Sequence, residues 1–333
     1  MTFAQATDQM NHYGSQRQPF LFVLDFAGKQ PLVLRPDEWA SQDVEFAFGT
    51  ATGHQNPVRN EPFWFRKYPM SFEQYRIGFD YVVQNIRLGN SFLVNLSGQT
   101  PIETNLSLSA IYARTSARYK LRLANQFVCF SPESFVRIRE NRLVSFPMKG
   151  TISASRPDAE NTLLTDAKEA AEHATIVDLI RNDLSQFARS VWVERYRYID
   201  YLETSGGGLL QVSSEVAALL PGNWRDWLGT LMASLLPAGS ISGAPKPKTV
   251  EIIRTAEGYD RGYYTGICGY FDGENLDSGV LIRFIENQHG QLVFKSGGGI
   301  TARSDARAEY QEMIDKVYLP ILVTDEYITI KHE

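Results

Sequence analysis

Residues 125–151 read NQFVCFSPESFVRIRENRLVSFPMKGT, and the fold class turns on how this stretch is read. Apolar, β-prone runs alternate with turn formers, and Glu140-Asn141 supplies a tight reversal, so the segment reads as an antiparallel meander. Its last run, Leu143 to Met148, ends on Lys149 and Gly150. The six letters FPMKGT do not decide whether Lys149 is a solvated charge closing a hairpin or a buried amine placed for chemistry.

Outward from the meander the pattern repeats. PFLFVLDF (19–26) reads as a buried strand followed by a turn at Gly28, and SFLVNLS (91–97) as another. Further strand-like runs are GYYTGICGYFD (262–272), SGVLIRFIE (278–286) and QLVFKSGGGIT (291–301). Helical signals fall between them. Ser71 and Gln74 form a capping box ahead of the stripe Tyr75, Phe79, Val82 and Ile86. A second helix is expected from about Asp166 to Phe187, with Val177, Ile180, Leu184 and Phe187 apolar. A third begins near Pro245 and ends before Gly258, and a fourth spans roughly Asp305 to Leu319 with Ser304 as N-cap. Residues 50–62 read as a loop, and the polar residues 1–17 as a frayed, flexible N-terminus. Strands in hairpins with a few helices between them imply an α+β fold around a large antiparallel sheet.

Composition narrows the function. The chain has 333 residues, 21% charged and 43% apolar, with a net charge of −5, which argues against a nucleic-acid partner. Arg114, Arg118, Lys120 and Arg122 cluster, but the last three alternate with Tyr119 and Leu121 as the wet face of a strand would. The two cysteines, Cys129 and Cys268, lack a CxxC or a local histidine, so a zinc site is not expected and both read as reduced core thiols of a cytoplasmic protein. No signal peptide is evident at the N-terminus, and no run approaches the ~18 apolar residues of a membrane span. The five histidines are scattered, none beside a serine or cysteine in a triad-like motif.

Several groups could carry chemistry. Glu169 and Glu172 lie three apart on one expected helix, and Glu309 and Glu312 three apart on another, so each pair shares a face. Four such acids could hold one hard cation, for which Mg²⁺ is suited; surface carboxylates are the other reading. Lys316 follows Glu312 by one turn, either as a surface pair or as an ammonium facing an anion. Gly297, Gly298 and Gly299 leave a strand together and expose backbone N–H groups to an anionic ligand, though they do not form a GxGxxG. GSISGAPK (239–246) is likewise no P-loop. Arg283 lies in an otherwise apolar run and requires an acidic partner or a substrate carboxylate. Glu133, in FSPESF, raises the same question.

Taken in order, GNSFLVNLS, FSPESF, FPMKGT, EHATIVDLIRNDLS, GSISGAPKPKTVEII, RGYYTGICGYFD, DSGVLIRF, SGGGIT and DARAEYQEMIDKV resemble the chorismate-utilising enzymes. That family comprises component I of anthranilate and aminodeoxychorismate synthases together with isochorismate and salicylate synthases. The resemblance runs from about residue 70 to the C-terminus. It implies large antiparallel sheets packed as a sandwich with helices outside, in a single catalytic domain over 18–333 whose first part, 18–70, is short and variable. It also implies roles. Glu172 and Glu312 match the Mg²⁺ ligands, with Glu169 and Glu309 nearby. Tyr264 and Arg283 match residues holding the enolpyruvyl carboxylate, and the glycine run and Lys316 match elements around the ring carboxylate. Glu133 matches the general acid for the departing C4 hydroxyl.

Lys149 stands where anthranilate synthases resembling this stretch carry alanine, and is similar to the aminodeoxychorismate synthases. There the amine is thought to attack C2 before ammonia enters at C4. An amine with an ordinary pKa near 10.4 needs burial or a cationic neighbour to act so at pH 7. Leu93 replaces the general-base lysine of the water-adding members, and Gln211 the histidine usually near the C4 hydroxyl. The implied substrates are chorismate and ammonia, the latter from a separate glutamine amidotransferase subunit, since no amidotransferase segment is evident. Tryptophan feedback is not expected.

Overall fold

The computed structural model describes residues 1–49, 51–52, 62–204 and 207–321. Two nine-stranded sheets form its frame, and every strand pair within them is antiparallel. The strand Phe20–Leu24 shows how they pack, because all five of its residues are buried. Successive side chains point to opposite faces. Phe20, Phe22 and Leu24 therefore join a core beneath helices, while Leu21 and Val23 join a second core shared with Phe46, Leu121, Cys129 and Phe284 of the other sheet. The outer face of that other sheet is covered by the helices Phe72–Arg87, Lys246–Glu257 and Ala306–Asp315. The expected α+β sandwich with helices outside is what the chain adopts.

The 125–151 stretch supplies four strands, Phe127–Ser131, Ser134–Arg139, Arg142–Ser145 and Met148–Ser153, but not the expected meander: only Ser134–Arg139 and Arg142–Ser145 pair as a hairpin, reversing at Glu140, whose φ is positive, while Gly207–Leu219 lies between Arg142–Ser145 and Met148–Ser153. The first of these strands lies in one sheet and the other three in the opposite sheet, so Pro132-Glu133 spans the crossing. The capping box Ser71/Gln74 opens the helix Phe72–Arg87 as expected. The helix Ala167–Ser185 starts on Asp166, and Lys246–Glu257 ends at Gly258.

Four local expectations are corrected. The N-terminus is not frayed: Phe3–Ser15 is a helix with a Thr2/Gln5 capping box, burying Ala6, Met10 and Gly14. Small residues make that packing possible, since a Cβ on Gly14 would lie 2.3 Å from the Arg225 carbonyl oxygen. The N-cap of the last helix is Asp305, not Ser304, because its carboxylate accepts from the Arg307 and Ala308 N–H groups, and the helix ends at Asp315. Arg122 is not on a wet face. It is 4% exposed and pairs with Glu45 and Asp43, a buried ion pair that alternation alone reads as solvated. The run 278–286 is not one strand but Leu276–Val280 and Phe284–Gln288. Within the expected loop 50–62, Ala51–Thr52 pairs with Val44–Phe48, while 50 and 53–61 lie outside the described residues.

Candidate active site

The strand Met148–Ser153 pairs with Gly207–Leu219 through an irregularity between Lys149 and Thr151, where Gly150 has φ +77°. That kink turns Lys149 toward the helix Ala167–Ser185, and its Nζ lies 2.7 Å from Glu172 Oε2. Glu172 is 7% exposed. The Glu169 N–H donates to the Asp166 N-cap, and a Cβ on Gly150 would lie 3.1 Å from Glu169 Oε2. Glycine is thus required here twice, by conformation and by proximity. Burial pushes the Lys149 ammonium toward deprotonation, but Glu172, reinforced by Glu169 and Glu312, outweighs it and holds the group above the ordinary lysine range.

The other wall comes from the strand Gln291–Ile300, paired with Leu93–Thr104. A Cβ on Gly298 would lie 3.4 Å from Glu309 Oε2, 3.5 Å from Glu312 Oε1 and 3.7 Å from Lys316 Nζ. A Cβ on Gly299 would lie 3.2 Å from Leu93 Cδ1 and 3.6 Å from Lys149 Nζ. The glycine run is therefore the seam at which the two lysines and the two acid pairs approach. Lys316 Nζ donates to the Gly297 carbonyl at 2.8 Å and to Glu312 Oε1 at 2.6 Å. Its pKa is lowered by burial, which the Glu312 carboxylate opposes but does not overcome beside Arg283 and Lys149.

Arg283 and Glu133 each sit on a crossing between the sheets, Glu133 after Phe127–Ser131 and Arg283 before Phe284–Gln288. Arg283 has φ +53°, a left-handed conformation that costs on the order of 1–3 kcal/mol in a non-glycine residue. Its Nε is buried with no hydrogen-bond partner among the described residues, and its guanidinium lies 5.9 Å from the Tyr318 ring. A strained arginine with donor capacity to spare suits an incoming carboxylate. The Glu133 backbone is held by Ser131 Oγ and by the Val280 N–H, and Ser240 Oγ donates to its carboxyl at 2.7 Å. Burial pushes the Glu133 pKa up, against the lowering influence of Ser240, Arg283 and Lys316. A narrow cleft is lined by Glu133, Ser240, Pro147 and Asp183; Lys149, Glu172 and the glycine run do not line it.

Tyr264 is 3% exposed, and burial raises its phenol pKa. It stands near Arg261, which is buried against Glu257, the Asn95 carbonyl and the Phe26 ring. Gln211 is buried on the strand Gly207–Leu219, between Thr151 and Asp200 of the neighbouring strands. Two contacts lay outside the sequence reading. His173, next to Glu172, is 1% exposed and its Nε2 lies 2.6 Å from Ser214 Oγ, which accepts from the Arg197 N–H. Burial, with Arg197 and Lys149 nearby, lowers the His173 pKa to about 4. Its Nδ1 has no hydrogen-bond partner among the described residues, so this is not a triad. The other is Ser240. Adjacency to Glu172 is the only signal for His173; Ser240 lies in a motif that is one of the family-like segments, but nothing in the sequence gives the serine itself a role.

The four glutamates offer oxygen donors of the kind Mg²⁺ prefers, and the missing Cβ at Gly298 leaves a recess beside two of them. Among the described residues no three acidic, histidine or cysteine side chains are gathered into a metal-holding set. Lys149 and Lys316 lie against Glu172 and Glu312, so a cation there competes with both ammonium groups for the same oxygens.

A family model for chorismate binding enzymes matches residues 25–321. The chain belongs to the chorismate binding enzyme family. It is 50% identical over 320 residues to an "uncharacterized PabA-like protein" of Haemophilus influenzae, covering 96% of this chain and 98% of that one. It is 35% identical over 270 residues to an anthranilate synthase component 1 of Haloarcula marismortui, covering 74% of this chain and 52% of that one. In fold it resembles the crystal structure of a 2,3-dihydroxybenzoate-specific isochorismate synthase from Bacillus anthracis, with a TM-score of 0.72 at 18% identity over 95% of this chain and 87% of that one. No helix among the described residues is long and apolar enough to cross a membrane.

Proposed function

We propose that the chain is component I of an aminodeoxychorismate synthase, aminating chorismate at C4 with ammonia to give 4-amino-4-deoxychorismate, on the route to 4-aminobenzoate and folate. The observation that carries this reading is Lys149: a largely buried amine on a glycine kink, which with Leu93 flanks the position a Cβ on Gly299 would take. A general-base lysine for water is not what occupies position 93, and an alanine is not what occupies position 149.

In this mechanism the Lys149 amine, once it has released its proton, attacks C2 of chorismate. Both ring double bonds shift, C1=C2 to C1=C6 and C5=C6 to C4=C5, the C4–O bond breaks, and Glu133 protonates the departing hydroxyl so that it leaves as water. Ammonia then adds at C4 and gives up a proton, both double bonds shift back, the C2–N bond breaks and the lysine nitrogen, taking up a proton, returns to its amine. Arg283 and Tyr264 hold the enolpyruvyl carboxylate, and the N–H groups of 297–299 with Lys316 hold the ring carboxylate. Gln211 can donate a hydrogen bond near C4 but carries no proton at neutral pH. Mg²⁺, held by Glu172 and Glu312 with Glu169 and Glu309 adjacent, would supply counter-charge to the ring carboxylate. Ammonia would come from a separate glutamine amidotransferase subunit, and the reaction would be cytoplasmic.

The test is a product assay. Purified chain with chorismate, Mg²⁺ and ammonium should yield 4-amino-4-deoxychorismate, read as 4-aminobenzoate after adding the lyase. Anthranilate as the product would replace this reading with anthranilate synthase component I, and isochorismate or salicylate would place the chain among the water-adding members.

A further inference from the structure

Ser240 lies in GSISGAPK, whose glycines resembled a phosphate loop but whose fold is different. Gly239–Ile241 is a single 3-10 turn, and Gly243–Ala244 pairs with Leu93 and Val94 at the end of the strand Leu93–Thr104. The turn is fastened on several sides. Ser242 Oγ donates to the Ala238 carbonyl at 2.8 Å, and the Asn95 N–H donates to the Ser242 carbonyl at 2.9 Å. Arg261 Nη1 donates to the Ile241 carbonyl at 3.1 Å. Lys246, at the end of the motif, donates to the Leu235 carbonyl and pairs with Asp183 at 2.8 Å, both side chains being largely buried. Asp183 belongs to Ala167–Ser185, the helix that carries Glu169 and Glu172. A Cβ on Gly239 would lie 2.7 Å from Leu179 Cδ2 of that helix, so the turn rests directly on it.

From this clamped turn Ser240 extends one group, its hydroxyl, to Glu133 Oε1 at 2.7 Å. Glu133 sits at a crossing between the two sheets, where its backbone is fixed by Ser131 Oγ and the Val280 N–H. Among the described residues Ser240 is its carboxyl's hydrogen-bond partner. We propose that Ser240 is a positioning residue for the acid step: its hydroxyl holds one oxygen of Glu133 and leaves the other facing the substrate, while the Asp183–Lys246 pair keeps Ser240 in register with the acidic helix. This rests on the reading of Glu133 as the group that protonates the departing hydroxyl.

The sign of the effect follows from the donor. A hydroxyl donating to a carboxyl favours its ionised form, as do Arg283 and Lys316; Tyr264 also lies within its field, and Asp183, paired with Lys246, lines the same cleft. Removing the donor shifts Glu133 toward its protonated form and frees its rotation. Ser240→Ala should therefore lower kcat roughly 10-fold, less than the ~10²–10⁴-fold that the acid itself contributes, because the acid is misplaced rather than removed. It should leave KM for chorismate near its wild-type value and move the alkaline limb of the kcat–pH profile to higher pH. Ser240→Thr, which keeps the hydroxyl, should restore both kcat and the limb. Thermal melting of each variant separates these effects from misfolding. A kcat that falls with an unmoved limb, or a Thr variant no better than Ala at equal melting temperature, overturns the positioning role. Glu133→Gln distinguishes the two layers. If it retains full activity, the acid role itself is wrong; if it is inactive while Ser240→Ala matches wild type, only the role of Ser240 falls.

Discussion

On the side of Met148–Ser153, a lysine meets two glutamates of one helix beside a glycine. On the side of Gln291–Ile300 the same residue types recur, as Lys316, Glu309, Glu312 and Gly298. The outcomes are opposite. Lys149 is held above the ordinary lysine range and Lys316 below it. The carboxylates differ in shielding: the Glu172 side chain is 7% exposed and that of Glu312 is 53% exposed, so water screens the second pair more strongly. Lys316 also feels Arg283 and Lys149, whereas Lys149 gains from Glu169 and Glu312 in addition to its direct partner. A lysine–glutamate pair thus has no fixed electrostatic meaning; its setting decides which half of the site carries the firmer charge.

The matched variants Lys149→Met and Lys316→Met are expected to break this symmetry most. Losing a nucleophile should cost on the order of 10³-fold or more in kcat. Losing Lys316, assigned to binding, should act mainly on KM, by about 10-fold. Steady-state kinetics of amination measure both. Equal losses in kcat would mean that the halves share one role, and full activity in Lys149→Met would end the covalent mechanism.

Next in size is the metal response. Glu172→Gln and Glu312→Gln should each raise the Mg²⁺ concentration for half-maximal activity, by about 10–100-fold, the buried Glu172 giving the larger shift. Magnesium titration of initial rates checks this. An unchanged requirement in both variants would refute the assignment of these acids.

How much of this was legible beforehand depends on how far apart in sequence the partners lie. The capping box at Ser71, the stripe from Tyr75 to Ile86 and the hairpin reversing at Glu140 are local patterns, and they appear as expected; the rest of the 125–151 meander does not, because Phe127–Ser131 joins the other sheet and Gly207–Leu219 inserts before Met148–Ser153. The N-terminal helix was missed because its buried side is largely small or single residues, Ala6, Met10 and Gly14, in a polar stretch. Arg122 was misread because its partner Glu45 lies 77 positions away on another strand, and alternation says nothing about what a strand is laid against. The same holds for His173 with Ser214, 41 apart, and for Ser240 with Glu133, 107 apart. The acid pairs were visible from helical spacing, but that spacing could not show that Lys149 lies against one and Lys316 against the other.

The smallest expected effects come from the two glycines, which separate conformation from space. Gly298 is not in the left-handed region, and a methyl there meets Glu309, Glu312 and Lys316 at 3.4–3.7 Å, ordinary contact distances. Gly298→Ala should therefore fold normally, but the methyl fills the recess beside those groups. A loss of about 10-fold in kcat/KM is expected, with little change in melting temperature. Gly150 differs because its φ of +77° penalises any L side chain by about 1–2 kcal/mol, and its Cβ would come within 3.1 Å of Glu169 Oε2. Gly150→Ala should lower stability by that amount in urea unfolding and also displace Lys149, the next residue in the kink. If Gly150→Ala instead unfolds like wild type, the strand has relaxed without that strain, and the kink is not what aims Lys149 at Glu172. If Gly298→Ala is the less stable of the two, packing rather than backbone conformation governs both glycines, and the contrast between the two walls fails at the level of the backbone.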